Sequence, residues 1–194
     1  MHSLTYVHHR STAMPVSKFH RTLLTALLLG LGLSAGAQAQ QVCNASLAAT
    51  RPDSQYRISA DGSEVTDLTT GLIWKRCVEG QNWDADNQQC SGTPTAMAWP
   101  AALVHVSAQT GGWRLPNLNE ALSLLEAGCK TPAHNVSVFP SPTTASQLYH
   151  LSTSTPHADS DGDRWVIDFQ AGVDRQSTKR VATSLLRLVR EPQP

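Results

Sequence analysis

Within residues 111–120 a glycine pair, a proline and a capping pair leave the chain one local course. Gly111 and Gly112 accept positive φ and so a tight turn. Pro116 holds Leu115 extended and cannot sit inside a helix. Asn117 suits an N-cap, and Glu120, three residues on, can return a hydrogen bond to it. A cap of this kind contributes ~1 kcal/mol. The expected order is turn, short extended piece, helix. Leu118, Ala121, Leu122 and Leu125 lie at helical spacing, with Gly128 as the expected stop. Arg114 stands between Trp113 and Leu115 and in an extended segment points away from both. It is therefore either buried with a partner or on the surface.

The rest of the chain alternates short apolar pieces with turn residues. Tyr56-Arg57-Ile58 and Val65-Thr66-Asp67 read as strands joined by the turn Asp61-Gly62-Ser63, and a third strand follows Thr70-Gly71 over residues 72–77. Residues 78–94 are polar and read as a loop around Trp83, whose indole is either a lid on the core or a contact residue. Residues 95–109 read as a first helix. Pro100 must lie in its first turn, so the helix proper begins near Trp99. Residues 130–149 read as loop and 149–154 as a short strand. In 165–169, Trp165, Ile167 and Phe169 fall on one face, Val166 and Asp168 on the other. Residues 181–189 read as a final strand. Strands, two helices, then strands indicate an α+β domain. Its tryptophans Trp74, Trp113 and Trp165 are expected to share one interior.

Three segments are distinguished along the chain. Residues 1–39 carry a positive start (Lys18, Arg21), an apolar run over 23–33 and the cleavage-type triplet Ala37-Gln38-Ala39, and so read as a signal peptide, with Met14 as an alternative start. The apolar run is shorter than the ~20 residues that span a bilayer, so no membrane span is expected after cleavage. Residues 40–54 form a polar lead and 55–194 a single domain. Removing 39 of 194 residues leaves 155, enough for one core. Three of the 15 basic residues (Arg10, Lys18, Arg21) and none of the 15 acidic ones fall in the leader, so the remainder carries 12 against 15, a formal −3. That sign disfavours a nucleic-acid partner.

All four cysteines lie beyond the leader. Export and an even count favour two disulfides in a secreted or periplasmic protein. Of three pairings, Cys77–Cys90 closes a short polar loop and Cys43–Cys129 ties the lead to the end of the second helix; this set is preferred. A zinc site lacks any C-x-x-C or C-x-x-H spacing.

The motifs 61–67, 70–77, 112–121, Ser152-Thr153-Ser154, 165–169 and 187–190, in this order, resemble the bacterial DUF1566 or Lcl C-terminal domain family. The likeness covers about residues 55–190. Its Trp-Arg-Leu-Pro segment is in turn remotely similar to formylglycine-generating-type domains. The resemblance therefore implies a C-type-lectin-like fold with two helices packed on small antiparallel sheets. One family member's domain is the adhesive end of a collagen-like surface protein that binds sulfated glycosaminoglycans. No Gly-x-y tract stands in this sequence, so attachment to a host surface does not transfer with the resemblance.

Several chemistries were weighed on the residues. No G-x-S-x-G elbow is present, and His105, His134, His150 and His157 show no metal spacing, so an enzyme is the least favoured class. Asp159, Asp161 and Asp163 resemble a calcium loop. Counted from Asp159, however, the sixth position is Arg164 and the twelfth Gln170, which fails the EF-hand pattern and leaves a weak Ca²⁺ alternative to no cofactor. Arg175, Lys179 and Arg180 suit sulfate or carboxylate groups; equally, charges on a strand edge discourage strand pairing. Arg114, Arg187 and Arg190 are expected to pair with Asp67 or Glu120. The expected function is a non-catalytic binding or adhesion module for polyanionic glycans or a protein partner. The alternative is a structural component of an envelope or pilus assembly.

Overall fold

In the computed structural model, which describes residues 41–140, 150–158, 163–177 and 183–193 (backbone alone at 174–177), the Asn117 cap closes in both directions. Its side chain accepts from the Glu120 N–H at 2.9 Å, and Glu120 Oε2 accepts from the Asn117 N–H at 2.7 Å. Gly111 and Gly112 take φ of 73° and 77°, as the turn before it requires. The helix so started is short. It spans Leu118–Leu122 (α2), not the run to Gly128 that the spacing suggested. Past it the Glu126 carboxylate collects backbone donors and turns the chain toward Cys129. The first helix (α1) is Trp99–Ser107 with Pro100 in its first turn, as expected, while Ala96–Ala98 before it is a strand.

Thirteen strands are found among the described residues. Four of them, β2 (Tyr56–Ile58), β3 (Glu64–Asp67), β4 (Ile73–Lys75) and β13 (Val189–Arg190), form an antiparallel sheet in the order β13-β4-β3-β2. Five more, β7 (Ala96–Ala98), β9 (His150–Pro156), β10 (Arg164–Asp168), β11 (Val173–Ser177) and β12 (Thr183–Leu185), form the order β11-β10-β9-β12-β7. Its pairs are antiparallel except β12–β9. Two two-stranded ribbons complete the set: β1 (Val42–Cys43) with β8 (Cys129–Lys130), and β5 (Gln81–Asp84) with β6 (Gln89–Gly92). The polar stretch 78–94 is thus a hairpin and not a loop. Trp83 pairs with Cys90 across it, so backbone pairing and a bridge order a segment that lacks apolar residues. The last strand is two pieces, β12 and β13, one in each large sheet; the chain crosses between sheets at 186–188.

The core forms two clusters. One joins Tyr56, Val65 and Trp74 of the four-stranded sheet to Ala121 of α2, Phe139, and Leu151 and Ile167 of the five-stranded sheet. The second packs Ala102 of α1 with Leu115, Leu186 and Leu188, and Trp113 lies against it. The expected common interior of three tryptophans is therefore not found. Trp74 is fully buried in the first cluster, Trp113 flanks the second, and Trp165 belongs to neither, stacking on His157 at 4.9 Å. The two-faced alternation expected of β10 fails for the same reason. Its register against β9 shifts between Arg164 and Val166, and as an inner strand it has Arg164, Val166, Ile167 and Asp168 all buried.

All described residues belong to one contact unit, Gly36–Pro194. Within it no helix is long and apolar enough to cross a membrane.

Candidate functional site

Both bridges close in the preferred pairing, and each pins a peripheral segment beside a cavity. Cys43–Cys129 joins β1 to β8 across 86 residues. Cys77–Cys90 joins the end of β4 to β6 across 13. They fit the oxidising surroundings of an exported protein.

The first cavity, about 450 Å³, has a largely apolar wall including Ala45, Leu47 and Val136. Its polar groups are already engaged. Glu126 accepts from the N–H groups of Thr50, Arg51 and Gly128 and from the Thr50 hydroxyl. Burial pushes its carboxyl up, but these donors together outweigh that and hold it below the usual range. Asp53 accepts from Asn135 and Ser137, both at 2.7 Å, and is lowered by them in that order. His134 donates from Nε2 to the Phe139 carbonyl. Burial, then the nearby Arg187 charge, lower its pKa to about 3, so it is neutral at pH 7.

The second cavity, about 320 Å³, is polar. Its wall comes from the β4 end (Lys75, Cys77), the following turn (Glu79, Gly80), the hairpin (Gln81, Asn82, Trp83), the β2–β3 turn (Ser63) and Gln109 beyond α1. Here groups are left over. Lys75 Nζ lies 4.5 Å from the Trp113 ring centroid and makes no ion pair among the described residues. Gln81 donates to the Cys90 and Gly92 carbonyls, while its Oε1 is buried and finds no donor. Trp83 covers the Arg76 guanidinium at 3.5 Å. It comes so close to Gly62 (φ +75°) that a Cβ there would stand 2.3 Å from the indole nitrogen. Arg76 itself is buried, takes only the carbonyls of Gly62, Ser137 and Val138, and is lowered by burial. Behind it Arg187, also lowered by burial, donates to the carbonyls of Lys75 and Arg76. Glu79, the acid on this wall, is taken by His105 at 2.7 Å.

The other residues singled out in the sequence fall elsewhere. Arg114 pairs with Glu120 at 2.7 Å and with Glu191 at 2.8 Å, and its pKa is raised, chiefly by its Glu120 bond. Arg190 takes Glu64, and Arg187 takes carbonyls; neither meets Asp67 or Glu120 as expected, because Asp67 is filled by Gln55, Thr69 and Thr70. Arg175 lies on β11 opposite Val166, while Lys179 and Arg180 are outside the described residues. Of the acidic triplet, Asp163 is buried, and Asp159 and Asp161 are outside the described residues. Among the described residues no three His, Cys, Asp or Glu gather as a metal set. Pro116 is fully buried behind the capped turn.

Of this wall the sequence singled out only Trp83 and Cys77. Lys75, Glu79, Gln81 and Gln109 were passed over, and His105 was read as lacking a carboxylate neighbour. One signal was available: Gln81-Asn82-Trp83-Asp84 and Gln89-Cys90-Ser91-Gly92 flank the turn-forming Asp86-Asn87 and could have been read as a hairpin.

Residues 63–190 match the family model described as the Lcl C-terminal domain, and the chain belongs to that family. No curated protein and no solved structure matches it.

Proposed function

We propose that this member of the Lcl C-terminal domain family is an exported, non-catalytic binding module whose partner is a glycan or another protein. The observation that carries the proposal is the polar cavity beside Trp83. A stapled hairpin holds an indole, an unpaired ammonium and an unfilled amide acceptor along one wall, the groups that grip a hydroxylated ligand by stacking and hydrogen bonds. A leader over residues 1–39 and residence in the periplasm or beyond belong to the same proposal, supported by the two bridges. A C-type-lectin-like assignment also belongs to it, supported by two helices among small sheets.

Two surfaces compete for the ligand. The strip of Arg175, Lys179 and Arg180 suits a polyanion, and the cavity suits a compact polar group. A glycan array probed with the oxidised protein, and with Trp83→Ala and Lys179→Gln/Arg180→Gln variants, separates them. Binding lost with either variant supports the module. A blank array together with no partner in an envelope pull-down sinks it. An assembly role is the second proposal, favoured by Leu103 and Val104, adjacent on α1 and 38 % and 71 % exposed. A capture that fails when Val104 becomes Ser would favour it.

A further inference from the structure

We infer that the Trp83 cavity takes one acidic sugar residue, a saccharide ring bearing a single carboxylate, and not a stretch of sulfated polymer. The inference rests on the binding-module proposal and specifies its ligand.

Charge is the first ground. Arg76 and Arg187 are buried behind the hairpin and satisfied by carbonyl dipoles alone. Lys75 adds a third positive charge on the wall, while Glu79 is occupied by His105. Buried charge without a counter-charge is costly and projects a positive potential into a nearby cleft. A carboxylate entering beside Lys75 meets that potential and gains a charge-assisted hydrogen bond.

Shape and hydrogen bonding are the second. About 320 Å³ is room for a sugar ring or two and too little for a chain. The Trp83 ring offers an apolar platform, and Gln81 Oε1 lacks the donor that a ring hydroxyl supplies. Asn82, Gln109 and Ser63 provide further polar groups around the same space.

Scarcity of free cations argues against a polymer. Among the described residues Arg76, Arg164 and Arg187 are buried, and Arg114 and Arg190 are held by carboxylates. A sulfated chain needs a row of available cations, and the residues beyond the leader carry a formal −3.

The test is an NMR titration of the oxidised protein with glucuronate, glucose, acetate and heparin, following the Trp83 indole N–H and the Gln81 and Gln109 amides. Glucuronate is expected to shift these signals saturably at millimolar concentration, about tenfold or more tighter than glucose or acetate. Lys75→Gln should bring glucuronate down to the level of glucose, and Lys75→Arg should retain it. Trp83→Ala should remove both. Gly62→Ala, which displaces the indole without deleting it, should weaken both and serves if Trp83→Ala does not fold. Equal binding of glucuronate and glucose, or acetate as strong as glucuronate, overturns the acidic-sugar assignment. Shifts confined to residues 175–180 with heparin overturn the cavity but leave the module standing. No response to any of the four, with a blank array and no protein captured, removes the module itself.

Discussion

The two stapled flanks differ in what they leave unspent. At the Cys43–Cys129 flank every acid has its donors: Glu126 gathers three backbone N–H groups and a hydroxyl, and Asp53 is filled by Asn135 and Ser137. At the Cys77–Cys90 flank Lys75 has no carboxylate, Gln81 Oε1 no donor, and Arg76 only carbonyls and an indole. Folding closes the first set of valences. The second set is closed only by something from outside. Bridges alone therefore do not mark a site; unsatisfied polar groups beside one do.

The comparison can be broken in order of expected effect. Replacing Cys43 and Cys129 together by Ser should cost about 4–5 kcal/mol in urea unfolding, because the bridge closes 86 residues. The same change at Cys77 and Cys90 should cost about 3 kcal/mol for its 13-residue separation. Its lost amide-exchange protection should be confined to β5 and β6. Loss spreading into β3 or β9 would show that the hairpin is part of the core.

Glu126→Gln keeps the shape of the first flank and removes the charge its donors serve. It should cost about 2 kcal/mol at pH 7. The folded carboxyl is lowered, so its stabilisation is present above the ordinary carboxylate pKa and is lost as pH falls through the folded value. The variant should thus flatten the wild-type decline below about pH 4.5. A parallel decline in both proteins would refute the role given to this carboxylate.

His134 sharpens the same flank from higher pH. Its folded pKa of about 3 lies below the unfolded value near 6.5, so the unfolded chain takes up a proton first. Stability should begin to fall just below about pH 6.5, by up to about 1.4 kcal/mol per pH unit, and His134→Gln should remove that limb. The smallest effect is expected at Trp83. If the indole serves the cavity, Trp83→Ala costs about 1 kcal/mol, the stacking on Arg76. A loss of ~3–5 kcal/mol, as for a core tryptophan, would make it a lid instead.

Local chemistry was legible in the residues themselves. A turn at Gly111-Gly112, a cap at Asn117-Glu120, the β2–β3 and β3–β4 turns and the disulfide pairing depend on neighbours in sequence, or on composition and export. The sequence by itself determined those, together with the α+β order and the family. Tertiary structure alone decided where β13 and β7 go, why Trp165 leaves the core, and which carboxylate each arginine meets. These depend on sheet order, on one register shift and on competition for acids already filled. The cavity was hidden for the same reason. Lys75, Glu79, Gln81, Trp83 and Gln109 are scattered over 35 positions, and only the crossing of α1, β4 and the hairpin gives them a common wall.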